Sequence, residues 1–509
     1  MSDNLYSLLA GRFPADPEAP CLILPDGRRV SYAELESQSA RYGALLVEAG
    51  LKMGDRVAAQ VEKSPEALYL YLGCLRAGCV FLPLNPAYQR CEVEYFLNDA
   101  KPGLFVCRPE KLEEAQELAW AARVPLAHDL GERGEGSLAA AAAEMPEAFS
   151  TAESAGSDLA AILYTSGTTG RSKGAMLTHR NLAANALVLH QYWGFRPGDV
   201  LLHMLPTFHV HGLFVATHCA LLNGSPMLFE PKFDAPRALR LMREATVFMG
   251  VPTYYVRLLQ EKGLTREAVA HMRLFISGSA PLLPETFSAF RERTGQTLLE
   301  RYGMTEGGMF TSNPLEGERR GGTVGFPLPG TEVRVVGEGD VPQPVGGIGH
   351  IQVRGDNVFA GYWGLPEKTR EEFTADGFFR TGDMGRFDSE GYLAIIGRDK
   401  DLIITGGLNV YPKEIEEAID TLPGVAESAV IGLPHPDFGE AVTAVVVRGR
   451  DASGLTAEGI IAALKGNIAG FKVPKAVHFV DDLPRNAMGK VQKNRLRERF
   501  GDAGKSQPP

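Results

Sequence analysis

YTSGTTGRSKG, residues 164–174, is the stretch from which this chain can be read. Its eleven residues hold three glycines (Gly167, Gly170, Gly174), six hydroxyl side chains (Tyr164, Thr165, Ser166, Thr168, Thr169, Ser172) and two cations, Arg171 and Lys173. Glycine lets backbone N–H groups converge, hydroxyls add donors, and cations offset negative charge. Together these make a loop suited to a polyphosphate. The apolar run AAIL at 160–163 reads as a short buried strand leading into it. A flexible glycine-serine linker lacks this density of hydroxyls and cations. A Walker loop needs glycine before Lys-Ser/Thr, whereas here Ser172 precedes Lys173 and Gly174 follows.

Upstream of the loop the pattern alternates. SYAELESQSARYGALLVEAG (31–50) predicts a helix with a serine cap and a glycine stop, and DRVAAQVEK (55–63) a strand. SPEALYLYLGCLRAG (64–78) predicts a helix with proline in its first turn, and CVFLPLNP (79–86) a strand and turn. Such alternation argues for largely parallel sheets covered by helices. SLAAAAAEMPEAFS (137–150) reads as a surface helix or connector. From about residue 323, TEVRVV, GHIQVRG and GYLAIIG indicate a small β-rich subdomain, followed by mixed α+β patterning to the end.

At 509 residues the chain requires two or more domains. A formal net charge of -10 argues against nucleic-acid or anionic-membrane partners, so an anionic substrate must be drawn in by local cations. The six cysteines show no paired metal-ligand spacing, and Cys74 and Cys79 read as small core residues in a reduced setting. Neither a secretory signal nor a membrane-spanning apolar run is visible, which predicts a soluble, cytoplasmic protein.

Four further motifs follow the loop: RYGMTE at 301–306, RTGD at 380–383, GRDKDLIITGG at 397–407 and PRNAMGK at 484–490. In composition and order the five resemble the signatures of the AMP-forming adenylating enzymes, the family of acyl-CoA synthetases, peptide-synthetase adenylation domains and firefly luciferase. The resemblance covers most of the chain. It implies an α/β fold: a large multi-subdomain N-terminal body at 1–397 (β-rich subdomain at about 323–397), a hinge at 398–400 centred on Lys400, and a small mobile α+β lid at 401–509. It also implies ATP, Mg²⁺ and CoA as reaction partners. A carboxylate would attack the α-phosphorus of ATP, and a thiol would then attack the acyl-adenylate and expel AMP.

Carried over position by position, the resemblance places Thr165, Ser166, Gly167, Thr168, Thr169, Gly170 and Lys173 at the phosphates. Ser279, Arg301, Tyr302, Gly303, Asp383 and Arg398 would complete the nucleotide site, with Asp383 accepting the ribose hydroxyls. Glu306 and Thr168 would hold the metal and Thr305 the α-phosphate. Lys490 would bridge the attacking carboxylate and the α-phosphate, and reversible acetylation by a lysine acetyltransferase and deacetylase is implied there. Gly406, Gly407 and Leu408 would line the thiol tunnel. Without the resemblance, Asp383 reads as a turn residue and Lys490 as a solvated lysine.

HMLPTFHVHGLF (203–214) carries His203, His209 and His211 without the carboxylates or cysteines of a metal site. The resemblance makes His209 a substrate gate and the other two structural. In VPTYYVRLLQ (251–260), Thr253 is expected to cap a helix with Tyr254, Leu258 and Val256–Leu259 on its periodic face. Arg257 interrupts that apolar segment. A helix-surface arginine is usually solvated, but a pocket for a second carboxylate requires a guanidinium that a fatty-acyl pocket would not tolerate. This segment, RLFISGSAPLL and SNPLEGERRGGTVGFPLPG resemble the malonyl-CoA synthetase branch. Arg257, Ser277 and His209 would then take the distal carboxylate of malonate, with Met304 and Met309 shaping the pocket. Gly307, Gly308 and Leu408 depart from the pattern of close relatives. The competing reading is a ligase for acetate or propionate.

Overall fold

The computed structural model describes residues 3–165, 172–405, 408–435, 439–449, 452, 454–465, 467–468, 470–486 and 489–501. Contacts divide the chain into two compact units. One is Met1–Val333 with Val353–Phe379, the other Arg334–Gln352 with Arg380–Pro509.

Two large sheets form the first unit. The seven-stranded sheet contains Arg56–Gln60, Val80–Pro83, Leu104–Cys107, Leu126–Asp129 and Leu159–Thr165 in parallel contact. It is extended antiparallel by Lys173–Thr178 and Gly361–Tyr362. The nine-stranded sheet has a parallel centre formed by Leu201–His203, Met227–Phe229, Val247–Gly250, Leu274–Ser277 and Leu299–Met304. Its strands are apolar on both faces, as parallel strands covered by helices must be. The expected α/β class with largely parallel sheets is what the chain adopts.

Local chemistry sets several boundaries. The Ser31 side chain caps the helix Tyr32–Glu48 by accepting from Glu34 N–H at 3.1 Å. Ser64 does the same for Pro65–Ala77, whose Pro65 occupies the first turn and whose Gly78 ends it at φ 72°. Cys74 and Cys79 are both buried in the core.

One helix corrects its expectation. Thr253 does not cap it, because the helix Pro252–Gln260 begins one residue earlier, with Pro252 in its first turn and Val251 before it. Its buried face is Pro252, Tyr255 and Leu258, and Val256 points outward. Tyr255 wins the interior because its phenol reaches Ile276 C=O at 2.5 Å while its ring packs among Phe248 and Phe290.

The second unit holds one sheet and most of another. The strands Phe379–Phe387 and Leu393–Arg398 form an antiparallel hairpin in a four-stranded sheet. Thr331–Val336 and Gly349–Gly355 of that sheet match two sequence-predicted strands. The other sheet centres on the long hairpin Val425–His435 and Gly439–Arg448. Helices Pro412–Asp420 and Ala457–Lys465 contribute Ile415, Ile419, Ile460 and Leu464 to its core.

Candidate active site

In the first unit, the strand Leu159–Thr165 leads into the glycine- and hydroxyl-rich segment expected to hold phosphates, and Lys173–Thr178 follows it. Ser166, Gly167, Thr168, Thr169 and Gly170 lie outside the described residues, as do Gly406 and Gly407. The loop's two flanks are described. Thr165 ends the entry strand opposite Lys173, and the Lys173 ammonium lies 4.2 Å from the Tyr362 ring centroid.

Tyr362 links this flank to the acidic residue of RYGMTE. Its phenol donates to Glu306 Oε1 at 3.0 Å, and Glu306 is 5% exposed. A single buried carboxylate, oriented by a hydroxyl, suits Mg²⁺, which takes one or two carboxylates and shares the rest of its shell with phosphate and water. No group of three or more potential metal-ligating side chains occurs among the described residues. The donor set therefore fits a metal carried by a triphosphate. Glu306 would hold it, and the metal would supply charge neutralisation at the phosphates.

The turn bearing Thr305 and Glu306 is held by asparagines. Asn185 donates to Met309 C=O at 2.9 Å and accepts from Met309 N–H at 3.1 Å. Asn357 donates to Gly307 C=O at 2.7 Å. A Cβ on Gly303 would stand 1.9 Å from Gly308 O, so this hairpin closes only with glycine there. Thr305 lines a small cavity with Asn181, Asn185 and Gly308. Met309 is buried, while Met304 and Tyr302 are half-buried.

Arg301 is the most telling group. It is 3% exposed, and its Nε and Nη2 meet no hydrogen-bond partner among the described residues. Its guanidinium lies over Gly278, where a Cβ would come within 2.3 Å of Cζ. Burial lowers its pKa to about 9. Burial also lowers His209 to about 4, with Arg301 adding to the effect, and the same two causes hold His211 well below its ordinary value. His211 Nδ1 lies 3.2 Å from Ser279 Oγ, and Ser279 takes φ 73°, a backbone state rare outside glycine. Ser277 Oγ and His211 Nε2 are likewise buried without partners among the described residues. A buried cation and buried donors left open together describe a site prepared for an anion.

Arg257, the guanidinium singled out in sequence, stands on the exposed side of its helix and forms no hydrogen bond or ion pair among the described residues. Among the described residues no hydrogen bond or ion pair joins it to Ser277 or His209. Sequence reasoning assigned Arg301 to the nucleotide and overlooked Tyr362, Asn185 and Asn357. Only the GYW triplet at 361–363 offered a local signal for Tyr362.

In the second unit, Asp383 and Arg398 are cross-strand partners, with Nε and Oδ1 2.9 Å apart. Asp383 is buried, and its N–H donates to Thr381 Oγ1. Lys490 belongs to the same constellation. Its backbone pairs with Asn486, and its ammonium pKa falls to about 8 through burial and Arg398, with Asp383 opposing. Lys400, in the short turn Asp399–Asp401, is also lowered by burial and Arg398. The structure thus gathers Asp383, Arg398, Lys400 and Lys490, which the sequence spreads over more than a hundred positions. Leu408 is exposed at the start of the strand Leu408–Val410.

Two family models match this chain: the AMP-binding enzyme domain over residues 11–363 and the AMP-binding enzyme C-terminal domain over residues 414–490. The chain belongs to the AMP-binding enzyme family. It is 35% identical to a malonate–CoA ligase of Arabidopsis thaliana, across 94% of this chain and 85% of that protein. Identity is 38% to a mitochondrial malonate–CoA ligase of Mus musculus, across 85% of this chain and 79% of that one. The crystal structure of ATP-bound MatB from Rhodopseudomonas palustris superposes with a TM-score of 0.97 at 55% identity, covering 99% of this chain and 100% of that one. No described helix is long and apolar enough to cross a membrane.

Proposed function

We propose that this chain is an acid–thiol ligase that converts malonate, ATP and CoA to malonyl-CoA, AMP and pyrophosphate, accepts methylmalonate less well, and acts in the cytoplasm. One malonate carboxylate oxygen attacks the α-phosphorus, and the bond to the β-phosphate oxygen breaks to release pyrophosphate. The CoA thiol, giving up its proton, then forms a C–S bond at the activated carbonyl. The carbon–oxygen bond to AMP breaks in that step.

Residues of the first unit serve the acid and the phosphates. Thr165, Lys173, Thr305 and the loop 166–170 take the phosphates, and Glu306 the Mg²⁺ that accompanies them. The distal carboxylate goes to Arg301, with Ser277 and His211 offering further hydrogen bonds and Arg257 at the outer edge. His209 controls approach to the carbonyl.

Residues of the second unit serve the nucleotide and the charge that builds in the transition state. Asp383 takes the ribose hydroxyls, Arg398 adds a cation, and Lys490 places its ammonium between the two reacting anions. A hinge at Lys400 then exchanges Lys490 for the segment 405–408 at the second step. Acetylation of Lys490 would remove the ammonium charge and halt the first step, which makes it a control point.

The observation that carries the reading is the buried Arg301 with unused donors. A pocket for acetate or propionate has no use for a second cation, and relatives named for malonate support the choice. The test is AMP release with ATP, Mg²⁺ and CoA across malonate, methylmalonate, succinate, acetate and propionate. Turnover led by malonate supports the proposal. Turnover confined to monoacids keeps the two-step chemistry and removes malonate.

A further inference from the structure

Lys63 is a buried charge that the reaction does not use. It is 8% exposed, in the link between the strand Arg56–Gln60 of the seven-stranded sheet and the helix Pro65–Ala77. Its Nζ reaches His203 Nδ1 at 2.8 Å, His203 C=O at 2.8 Å and Leu205 C=O at 3.0 Å. The Phe229 ring centroid lies 4.3 Å away. His203 ends the strand Leu201–His203 of the nine-stranded sheet, so one ammonium ties the two sheets together.

The proton positions follow from the partners. His203 Nε2 stands 3.0 Å from Gly212 C=O and 3.1 Å from Thr217 Oγ1, and Thr217 Oγ1 itself donates to Gly212 C=O at 2.9 Å. A carbonyl only accepts, so Nε2 carries the ring proton and Nδ1 accepts from Lys63. All three Nζ partners are then acceptors, and three donors are those of an ammonium. Burial pulls the Lys63 pKa well down, and the nearby Glu230 carboxylate opposes that shift.

This pair clamps both ends of residues 205–212: Lys63 holds Leu205, and His203 holds Gly212. Between the ends, a Cβ on Gly212 would stand 2.0 Å from Pro206 O, so the loop is closed tightly on itself. Within it lie His209 and His211, and His211 N–H donates to His209 Nδ1 at 3.3 Å. The π-helical segment His211–Thr217, a wide turn that often marks a functional site, starts at the loop's C-terminal end.

We propose that Lys63 and His203 are positioning residues for acid recognition: by pinning residues 205–212 at both ends, they set His209 and His211 against Arg301. The inference rests on Arg301 being the carboxylate site. Neither residue touches substrate. A staple that merely held the sheets together would lower Tm and every kinetic constant alike, whereas a positioning pair affects the acid selectively.

The experiment uses the full-length enzyme and the variants Lys63→Met, His203→Leu, His203→Gln and Arg301→Gln, assayed well below the lowest Tm of the set. It measures kcat and KM for malonate and for ATP, and the rise in Tm on adding malonate. Lys63→Met and His203→Leu are expected to lose roughly 10–100-fold in kcat/KM for malonate, the cost of a misplacement on the order of an ångström, with the KM for ATP unchanged. His203→Gln, able to accept from Lys63 and donate to Gly212, should recover most of that loss. If Lys63→Met does not fold, His203→Leu against His203→Gln decides the question by the same comparison. Equal losses for malonate and ATP overturn the inference, as does an unchanged malonate constant, provided Arg301→Gln selectively loses malonate. If Arg301→Gln leaves malonate untouched, the carboxylate site itself is misassigned and the inference falls with it.

Discussion

The phenol of Tyr362 donates to Glu306 Oε1 at 3.0 Å, while the Lys173 ammonium sits 4.2 Å from the centre of the same ring. One side chain thus touches both Lys173, at the exit of the loop proposed to hold the phosphates, and the carboxylate suited to Mg²⁺. Tyr362→Phe keeps the ring and removes only the hydroxyl. Its Mg²⁺ requirement for pyrophosphate release should rise about tenfold, the price of one hydrogen bond to a charged group. Thioester formation from supplied acyl-adenylate should not change. Electron paramagnetic resonance of Mn²⁺ with ATP would report weaker metal retention directly, and unaltered Mn²⁺ binding would refute the link.

Arg301 and Arg257 make opposed predictions for one substrate. Arg301→Gln should lower kcat/KM for malonate by roughly 10²-fold or more, because a carboxylate left buried without its cation costs about 3 kcal/mol or more. Arg257→Ala, at an exposed position, should cost far less. Steady-state kinetics on malonate and acetate would separate the two, and a larger loss at Arg257 would return the role to that residue.

For Lys490, the two half-reactions should part. Lys490→Ala should abolish adenylate formation and spare thioester formation from supplied adenylate. The wild-type ammonium is present below about 8 and lost above it, because burial and Arg398 lower its pKa. Adenylation kcat/KM should therefore fall as pH rises through that value. Lys490→Arg, charged throughout, should shift the alkaline limb upward at reduced rate. A pH profile identical in both enzymes would assign the limb elsewhere.

Lys400→Pro tests the proposed hinge. Proline fixes φ near −65° and removes a donor, so the second half-reaction should suffer more than the first. Rapid-quench measurement of each step would show it. Equal impairment would argue against rotation about this residue.

Gly308→Ala probes the turn beside Glu306. Gly308 has φ 63°, and a Cβ there would stand 2.4 Å from Asn185 Oδ1. The left-handed backbone alone costs about 1–2 kcal/mol for alanine, and the Asn185 clamp on Met309 must also yield. A urea melt should show at least that loss, together with weaker adenylation. Full stability would mean that the turn can relax.

Much of this protein was written in short stretches of sequence. Ser31, Gly50 and Pro65 announced two helices because caps, stops and first-turn prolines act within a few residues. The strands Thr331–Val336 and Gly349–Gly355 followed from β-branched residues between glycines. Density of glycine, hydroxyl and cation singled out a loop suited to phosphates, and the order of five motifs carried the family. These signals are local, and local chemistry survives in one dimension.

What the sequence left open was which charges go inside. Arg257 and Arg301 are both arginines in apolar surroundings, yet one faces outward and the other is sealed over Gly278 with donors unspent. Thr253 looked like a cap until Tyr255 took the interior. Lys63 lay unremarked in the strand-like run 55–63 until His203, 140 positions away, supplied its partner. Burial of a charge is decided by groups that meet only when the sheets pack. Its cost, and therefore its meaning for the site, exists only in the tertiary structure.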